Sequence, residues 1–234
     1  MIDFHSHILP GVDDGSRTED ESRQMIMEAK QFGFDKIIST SHYAVDCYEV
    51  PEYKRKTLLE ELKHTSDAPE LYLGSEIFIT FNILNLLEEY KASTINGTRY
   101  VLFELPLRRH FPNYKDIINN LINNDYKLIL AHPERYLEVQ ENFEILHELS
   151  NMGVLFQANY GSFVGHYGFK AKSTVKKMLS KELISFMGSD VHRPGHSYPL
   201  IPKALKKMSK IASVEYIERI TNSNAEKILN GEEL

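Results

Sequence analysis

Short runs of continuous apolar residues recur along the chain, separated by longer segments in which apolar positions return every three or four residues. A strand buried on both faces reads as near-continuous Val, Ile, Leu and Phe, whereas a helix lying on a sheet shows the 3.6-residue period. Seven apolar runs stand out: "IDFH" (Ile2 to His5), "KIISTS" (Lys36 to Ser41), "LYLGSE" (Leu71 to Glu76), "YVLFEL" (Tyr100 to Leu105), "KLILAH" (Lys127 to His132), "VLFQAN" (Val154 to Asn159) and "LISFMGSD" (Leu183 to Asp190). Helical period predicts helices over Glu52 to His64, Asn82 to Tyr90, Asn113 to Asn123, Asn142 to Met152, Ala171 to Leu179, Pro199 to Lys210 and Asn224 to Leu229. An earlier helix is bounded by chemistry as well as period. Thr18 followed by Glu21 has capping-box spacing ahead of Met25, Ile26 and Ala29, and Gly33 offers a left-handed stop. Strands alternating with helices imply repeated βα units and a parallel α/β sheet.

Composition narrows the function class. The 234 residues suit one domain, read here as 1–234, with a core that needs no disulfide or structural metal. A net charge of −6 argues against a general nucleic-acid binder, which needs a concentrated Lys/Arg surface. No apolar run is long enough to span a bilayer. Cys47 is the single cysteine and fits a reducing compartment. The opening "MIDFHSH" places polar residues where a secretory leader would be apolar, so the expected location is cytoplasmic.

The candidate chemistry lies where the apolar runs end. His5 and His7 close the first, His42 the second, Glu76 the third, Glu104 the fourth, His132 the fifth, and Asp190 with His192 the seventh. In a parallel barrel all these carboxyl ends point to one face, so residues distant in sequence converge. Imidazole nitrogen and carboxylate oxygen both suit divalent transition metals, and this set exceeds the needs of one ion. Asn159, ending the sixth run, reads as a loop hydrogen-bonding residue. His64, His110, His147, His166 and His196 have no comparable strand-end placement.

"DFHSH" with "DDG", "SH" at Ser41 to His42, "GSE" at Gly74 to Glu76, "FELP" at Phe103 to Pro106, "AHPER" at Ala131 to Arg135 and "GSDVH" carry a family resemblance. The chain resembles the polymerase-and-histidinol-phosphatase (PHP) superfamily. More narrowly, it is similar to the capsule-associated bacterial protein tyrosine phosphatases, which act on tyrosine autokinases of polysaccharide export. The resemblance spans nearly the whole chain and implies a distorted, TIM-like (β/α)7 barrel of parallel strands. It implies three divalent metal ions, Mn²⁺ first, with Fe or Zn as other occupants. One metal would take His5, His7, Glu76 and Asp190; a second Glu76, Glu104 and His132; the third Asp14, His42 and His192. Asp13 competes with Asp14 for the last role. The implied substrate is a phosphotyrosine protein, the tail of a membrane autokinase, reached at the inner face of the membrane without insertion.

For phosphoryl transfer, a metal cluster can acidify a water and screen the phosphate oxygens. Arg135, three residues after His132, is the candidate catalytic clamp for phosphate; the competing expectation is a salt bridge to Glu134 or Glu138. Arg108, Arg109 and Arg193 are candidate substrate-binding residues, although a solvated loop is the preferred reading for Arg108, Arg109 and His110. A thiol mechanism needs Cys-x-x-x-x-x-Arg, and the position required for Arg is Tyr53, which excludes it. Three alternatives differ in kind: hydrolysis of a small phosphomonoester such as histidinol phosphate or of a phosphodiester as in polymerase-associated exonucleases, an amidohydrolase or deoxyribonuclease-like barrel, and a non-catalytic metal-binding barrel.

Overall fold

The computed structural model describes residues 1–234. Its strands are β1 (Ile2–Ser6), β2 (Lys36–Ser39), β3 (His42–Tyr43), β4 (Glu70–Leu73), β5 (Glu76–Phe78), β6 (Tyr100–Glu104), β7 (Lys127–Ala131), β8 (Leu155–Asn159) and β9 (Phe186–Gly188). Every ladder is parallel, in the orders β1-β2-β4 and β3-β5-β6-β7-β8-β9. The two groups are one sheet interrupted. Ser39 pairs with Leu73 and His42 with Glu76 at the same offset, so β3 continues β2 and β5 continues β4 across short gaps. The sheet then closes on itself, because Asp190 N–H donates to His5 O at 2.8 Å and His7 N–H to Val191 O at 3.0 Å. Seven staves result, one for each apolar run, in a distorted barrel.

Helices fill the crossovers and the chain's end: α1 (Glu19–Gln31), α2 (Glu52–Lys63), α3 (Ile83–Glu88), α4 (Tyr114–Asn123), α5 (Leu137–Glu141), α6 (Glu144–Asn151), α7 (Tyr160–Val164), α8 (Gly168–Ser180), α9 (Ile201–Met208), α10 (Val214–Glu218) and α11 (Asn224–Leu229). Those predicted from period are present with ends shifted by a few residues; α5, α7 and α10, each five residues long, are too short to show a period. Thr18 caps α1 by accepting from Glu21 N–H at 3.2 Å, but the Glu21 carboxylate takes the Arg17 N–H instead of closing the box on Thr18. Gly33, at φ +89°, ends that helix as its sequence position implies.

Alternation along the strands makes two apolar layers. Outward-facing Ile37, Leu71, Val101, Leu130 and Phe156 join the main core under the helices. Inward-facing Ile2, Phe4, Ile38, Leu102, Ile129 and Phe186 fill the lower half of the barrel, where the rings of Phe4 and Phe186 stack at 4.0 Å, and α11 plugs the bottom with Ile228 and Leu229. The upper half is therefore left to polar side chains. The last predicted run, Leu183 to Asp190, is in register with β8 only over Phe186–Gly188. Tyr216 OH occupies the main chain of Ile184 on one side, and Asp3 takes the Ser189 N–H on the other.

Candidate metal centre

Three backbone devices aim the polar residues inward. The first is a register shift in β1 between Asp3 and Ser6, where the partner strand has one residue fewer. Such a bulge reverses the facing of the residues beyond it. Phe4 can thus lie in the lower core while His5, its neighbour, also enters the barrel. The second is the left-handed backbone of His132 (φ 34°) and Asp190 (φ 52°), an uncommon conformation for residues with a Cβ, held by the loops around them. The third is close approach. A Cβ on Gly188 would stand 2.5 Å from His5 Cβ, and one on Gly15 2.4 Å from His7 O, so both positions must lack a side chain.

Nine side chains meet there: His5, His7, Asp14, His42, Glu76, Glu104, His132, Asp190 and His192. Their donor atoms fall into four groups whose members lie within 4.8 Å of one another: His7, Asp14, His42 and His192; His5, His7 and Asp190; His5, Glu76 and His132; His42, Glu76 and Glu104. Glu76 is central. Its Oε2 is 3.0 Å from His5 Nε2, 3.4 Å from His7 Nε2 and 3.1 Å from His42 Nδ1, while Oε1 is 2.7 Å from His132 Nε2. Asp190 Oδ1 lies 3.6 Å from His5 Nε2 and 3.4 Å from His7 Nε2. Glu104 Oε1 is 3.1 Å from His42 Nδ1, and Asp14 Oδ1 is 3.4 Å from His192 Nε2 and 3.7 Å from His42 Nε2.

A second ring of residues fixes which atom each ligand candidate presents. Gln157 donates both its amide protons, to Ala158 O and Asn159 Oδ1, so its Oε1 receives His5 Nδ1 at 2.7 Å. Asp13 Oδ2 receives His7 Nδ1 at 2.8 Å and also the His42 N–H at 2.8 Å. Both imidazoles carrying their proton on Nδ1 leave bare Nε2 lone pairs only 3.0 Å apart and facing carboxylate oxygens. That arrangement is repulsive unless cations or extra protons intervene, which is the donor set a divalent-metal cluster requires. Asp190 Oδ2 accepts from Arg135 Nη1 and Asn159 Nδ2, each at 2.7 Å, and from Tyr167 OH at 3.2 Å, which reserves Oδ1 for the centre.

With no cation bound the same crowding shifts the proton affinities. Burial opposes charging His5, His7 and His42, yet the carboxylates outweigh it: Glu76 and Asp190 raise His5, Asp13 raises His7 far, and Glu76 with Glu104 raise His42 to about 9. Burial likewise opposes ionising Glu76 and Asp190, but the surrounding imidazoles, His5 foremost, hold both well below the usual carboxylate range. Asp13, buried against His7, falls to about 2.

Asp13 and Asp14 thus take different tasks. Asp13 is buried and engaged with His7, whereas the half-exposed Asp14 turns its carboxylate toward His42 and His192. Arg135 pairs with neither Glu134 nor Glu138. Its Nη1 holds Asp190 and its guanidinium lies 4.4 Å from the Tyr167 ring centroid, while Glu138 pairs with His110 and the buried Glu134 accepts from Ser162 and the Asn159 N–H. Arg193 donates from Nη1 to the carbonyls of Asp14, at 2.9 Å, and Gly15, tying down the loop that carries Asp14. Arg108 and Arg109 are exposed on the loop after β6, and neither reaches the cluster. Sequence reading missed Gln157 and Tyr167 and gave Asn159 only a loop hydrogen bond. The visible signal was a glutamine inside an apolar run at inward register, two residues before Asn159.

Residues 1–230 match the family described as capsular polysaccharide synthesis, CpsB/CapC. The chain is 34% identical to the putative tyrosine-protein phosphatase CapC of Staphylococcus aureus over 82% of this chain and 77% of that one. It is 29% identical to the tyrosine-protein phosphatase CpsB of Streptococcus pneumoniae over 98% of both. A crystal structure from work on Bacillus subtilis YwqE and S. pneumoniae CpsB, described as unique metal-dependent tyrosine phosphatases, superposes with a TM-score of 0.88 at 27% identity, covering 100% of this chain and 96% of that one. Histidinol phosphate phosphatase of Lactococcus lactis shares the fold at TM-score 0.56 and 17% identity, over 90% and 93% of the two chains. With its family match running from the first stave to beyond the last, the chain belongs to the CpsB/CapC capsular polysaccharide synthesis family.

Proposed function

We propose that this chain is a metal-dependent protein tyrosine phosphatase. One observation carries the reading: nine imidazoles and carboxylates, drawn from six of the seven staves and the loops after them, converge on one face in a chain whose relatives bear that name. The centre would hold three divalent cations, Mn²⁺ foremost: His5, His7, Glu76 and Asp190 would hold the first, Glu76, Glu104 and His132 the second, and Asp14, His42 and His192 the third. Once bound, such ions polarise phosphate oxygens and lower the pKa of water, so no covalent enzyme intermediate is needed.

The chain's own groups supply placement. Gln157 and Asp13 keep the Nε2 atoms of His5 and His7 turned inward, and Asn159 with Arg135 keeps Asp190 ionised and oriented. Arg135 commits Nη1 to Asp190; the rest of its guanidinium is free to meet an equatorial phosphate oxygen as charge develops there. A tyrosyl leaving group, with a parent pKa of about 10, departs with little protonation, so no dedicated acid is assigned. The substrate is phosphotyrosine on the tail of a membrane tyrosine autokinase of capsule or exopolysaccharide export, and the enzyme works in the cytoplasm.

The test uses metal-stripped protein, with and without added Mn²⁺, on a phosphotyrosine peptide, a phosphoserine peptide and histidinol phosphate, alongside a His5→Ala/His7→Ala variant. Mn²⁺-restored hydrolysis of phosphotyrosine alone, absent in the variant, is the expected result. Exclusive turnover of histidinol phosphate would move the enzyme to small-molecule phosphate chemistry. Metal binding without any turnover would make it a silent barrel.

A further inference from the structure

Lysine is unevenly distributed in this chain. Nine lysines fall between residues 170 and 210, where Glu182 and Asp190 are the only acidic residues, although the net charge of the whole is −6. The fold concentrates them. α8 and α9 both pack against α7, which sets the two helices side by side. On α8, Phe169, Lys172 and Lys176 follow the i, i+3, i+7 spacing of one helix face. Lys203, Lys207 and Lys210 form the matching stripe along and just beyond α9.

The stripes lie close enough to repel. Lys172 first, then partial desolvation, then Lys176, Lys203 and Lys210, pull the pKa of Lys207 down. None of these five lysines has a carboxylate within 4.0 Å, whereas Lys36 and Lys115 elsewhere pair with Glu226 and Glu148. Charge held together against its own repulsion, with no internal counter-ion, matches a surface whose counter-ions are external. Phe169, at the end of the ridge nearest the site, is 83% exposed. The preceding Tyr167 has its hydroxyl 3.2 Å from Asp190 Oδ2, so the ridge starts at the mouth of the metal centre.

We infer that the α8–α9 face docks this protein on an anionic lipid bilayer, the lysines meeting headgroups and Phe169 entering the interface. Two features favour a bilayer over an acidic protein. The cations are all lysine, a compact, strongly hydrated charge on a flexible stem, without the planar fork that arginine uses to grip a fixed carboxylate or phosphate. An exposed aromatic ring beside a lysine stripe is the composition of interfacial binding. Docked in this way, the mouth of the centre lies next to the membrane surface.

The experiment is co-sedimentation of the intact protein with phosphatidylcholine vesicles, with and without phosphatidylglycerol, across a salt series. Binding should require phosphatidylglycerol and weaken with salt. Lysines near an anionic surface contribute about fivefold in affinity each, so Lys172→Gln/Lys176→Gln and Lys203→Gln/Lys207→Gln should each weaken binding roughly 25-fold. Phe169→Ser should weaken it while leaving the salt dependence unchanged. All three variants should keep the parent Tm, since the replaced side chains are at the surface. Absence of binding to phosphatidylglycerol vesicles, or variants that bind as the parent does, would overturn the inference. So would tighter binding to poly-glutamate or to RNA at the same ionic strength, which would assign the face to an acidic protein or a nucleic acid.

Discussion

At the scale of single residues, the centre depends on side chains that present no donor atom to it. Gln157 and Asp13 each accept the Nδ1 proton of a histidine and thereby decide where that histidine's lone pair points. Partners of this kind are worth about 10–100-fold in metal affinity. Gln157→Leu and Asp13→Asn should each weaken Mn²⁺ binding by about that factor, measured by competition with a chelator. Loss of less than about twofold in both would mean that the tautomers are fixed some other way. Arg135→Lys tests a different link. Lysine restores the charge beside Asp190 but not the fork, so under the proposed phosphatase reading kcat/KM should fall by about 10–100-fold, as expected for one charge-assisted hydrogen bond. Unchanged kinetics would reduce Arg135 to a support for Asp190.

Elements place these residues through local irregularity. The β1 bulge lets Phe4 pack on Phe186 below while His5 enters the centre above, and Gly188 gives His5 room from the adjoining stave. Gly188→Ala should therefore displace β1 or β9 and damage the centre more than the fold: metal binding lost, with the metal-free Tm lowered by only a few degrees, measured by calorimetry and chelator competition. A variant that binds Mn²⁺ normally would show that the staves give way without moving His5. Thr18→Ala addresses an ordinary cap at the start of α1. It removes the acceptor for the Glu21 N–H and should cost about 1 kcal/mol without touching metal affinity.

For the whole molecule, the charge crowded into the barrel mouth links stability to pH and metal. Histidines whose folded pKa stands above the unfolded value add stability that is complete below about 6.5 and is lost as pH rises through the folded pKa. His42, raised to about 9, marks the upper edge of that window. Glu76 and Asp190, depressed in the folded state, add stability above the ordinary carboxylate range that disappears as pH falls through their folded values. The metal-free protein should accordingly be most stable between about pH 4.5 and 6.5, with Tm declining toward pH 9. If the centre binds Mn²⁺ as proposed, the metal would replace the protons on the imidazoles, so the decline should vanish and the Tm gained on adding metal should grow with pH. A metal-free Tm that is flat or rises across that range would contradict this origin of the coupling.

Much of this protein was legible in the chain itself. Uninterrupted apolar runs marked all seven staves, because a strand covered on both faces has no solvent side to record. The polar residues closing those runs, Asp14 apart, are the side chains that converge at the barrel mouth, because parallel strands bring their carboxyl ends to one face whatever the loops do. Tertiary structure decided the rest. Which of Asp13 and Asp14 faces the cluster, that Arg135 grips Asp190, that Asn159 orients the same carboxylate, and that "LISFMGSD" is in register with β8 over only three residues all depend on partners distant in sequence. Periodicity reports how each segment meets water. It carries no record of which buried polar group will satisfy another across the barrel, and the bulge at His5 and the left-handed turns at His132 and Asp190 exist only because the closed sheet holds them.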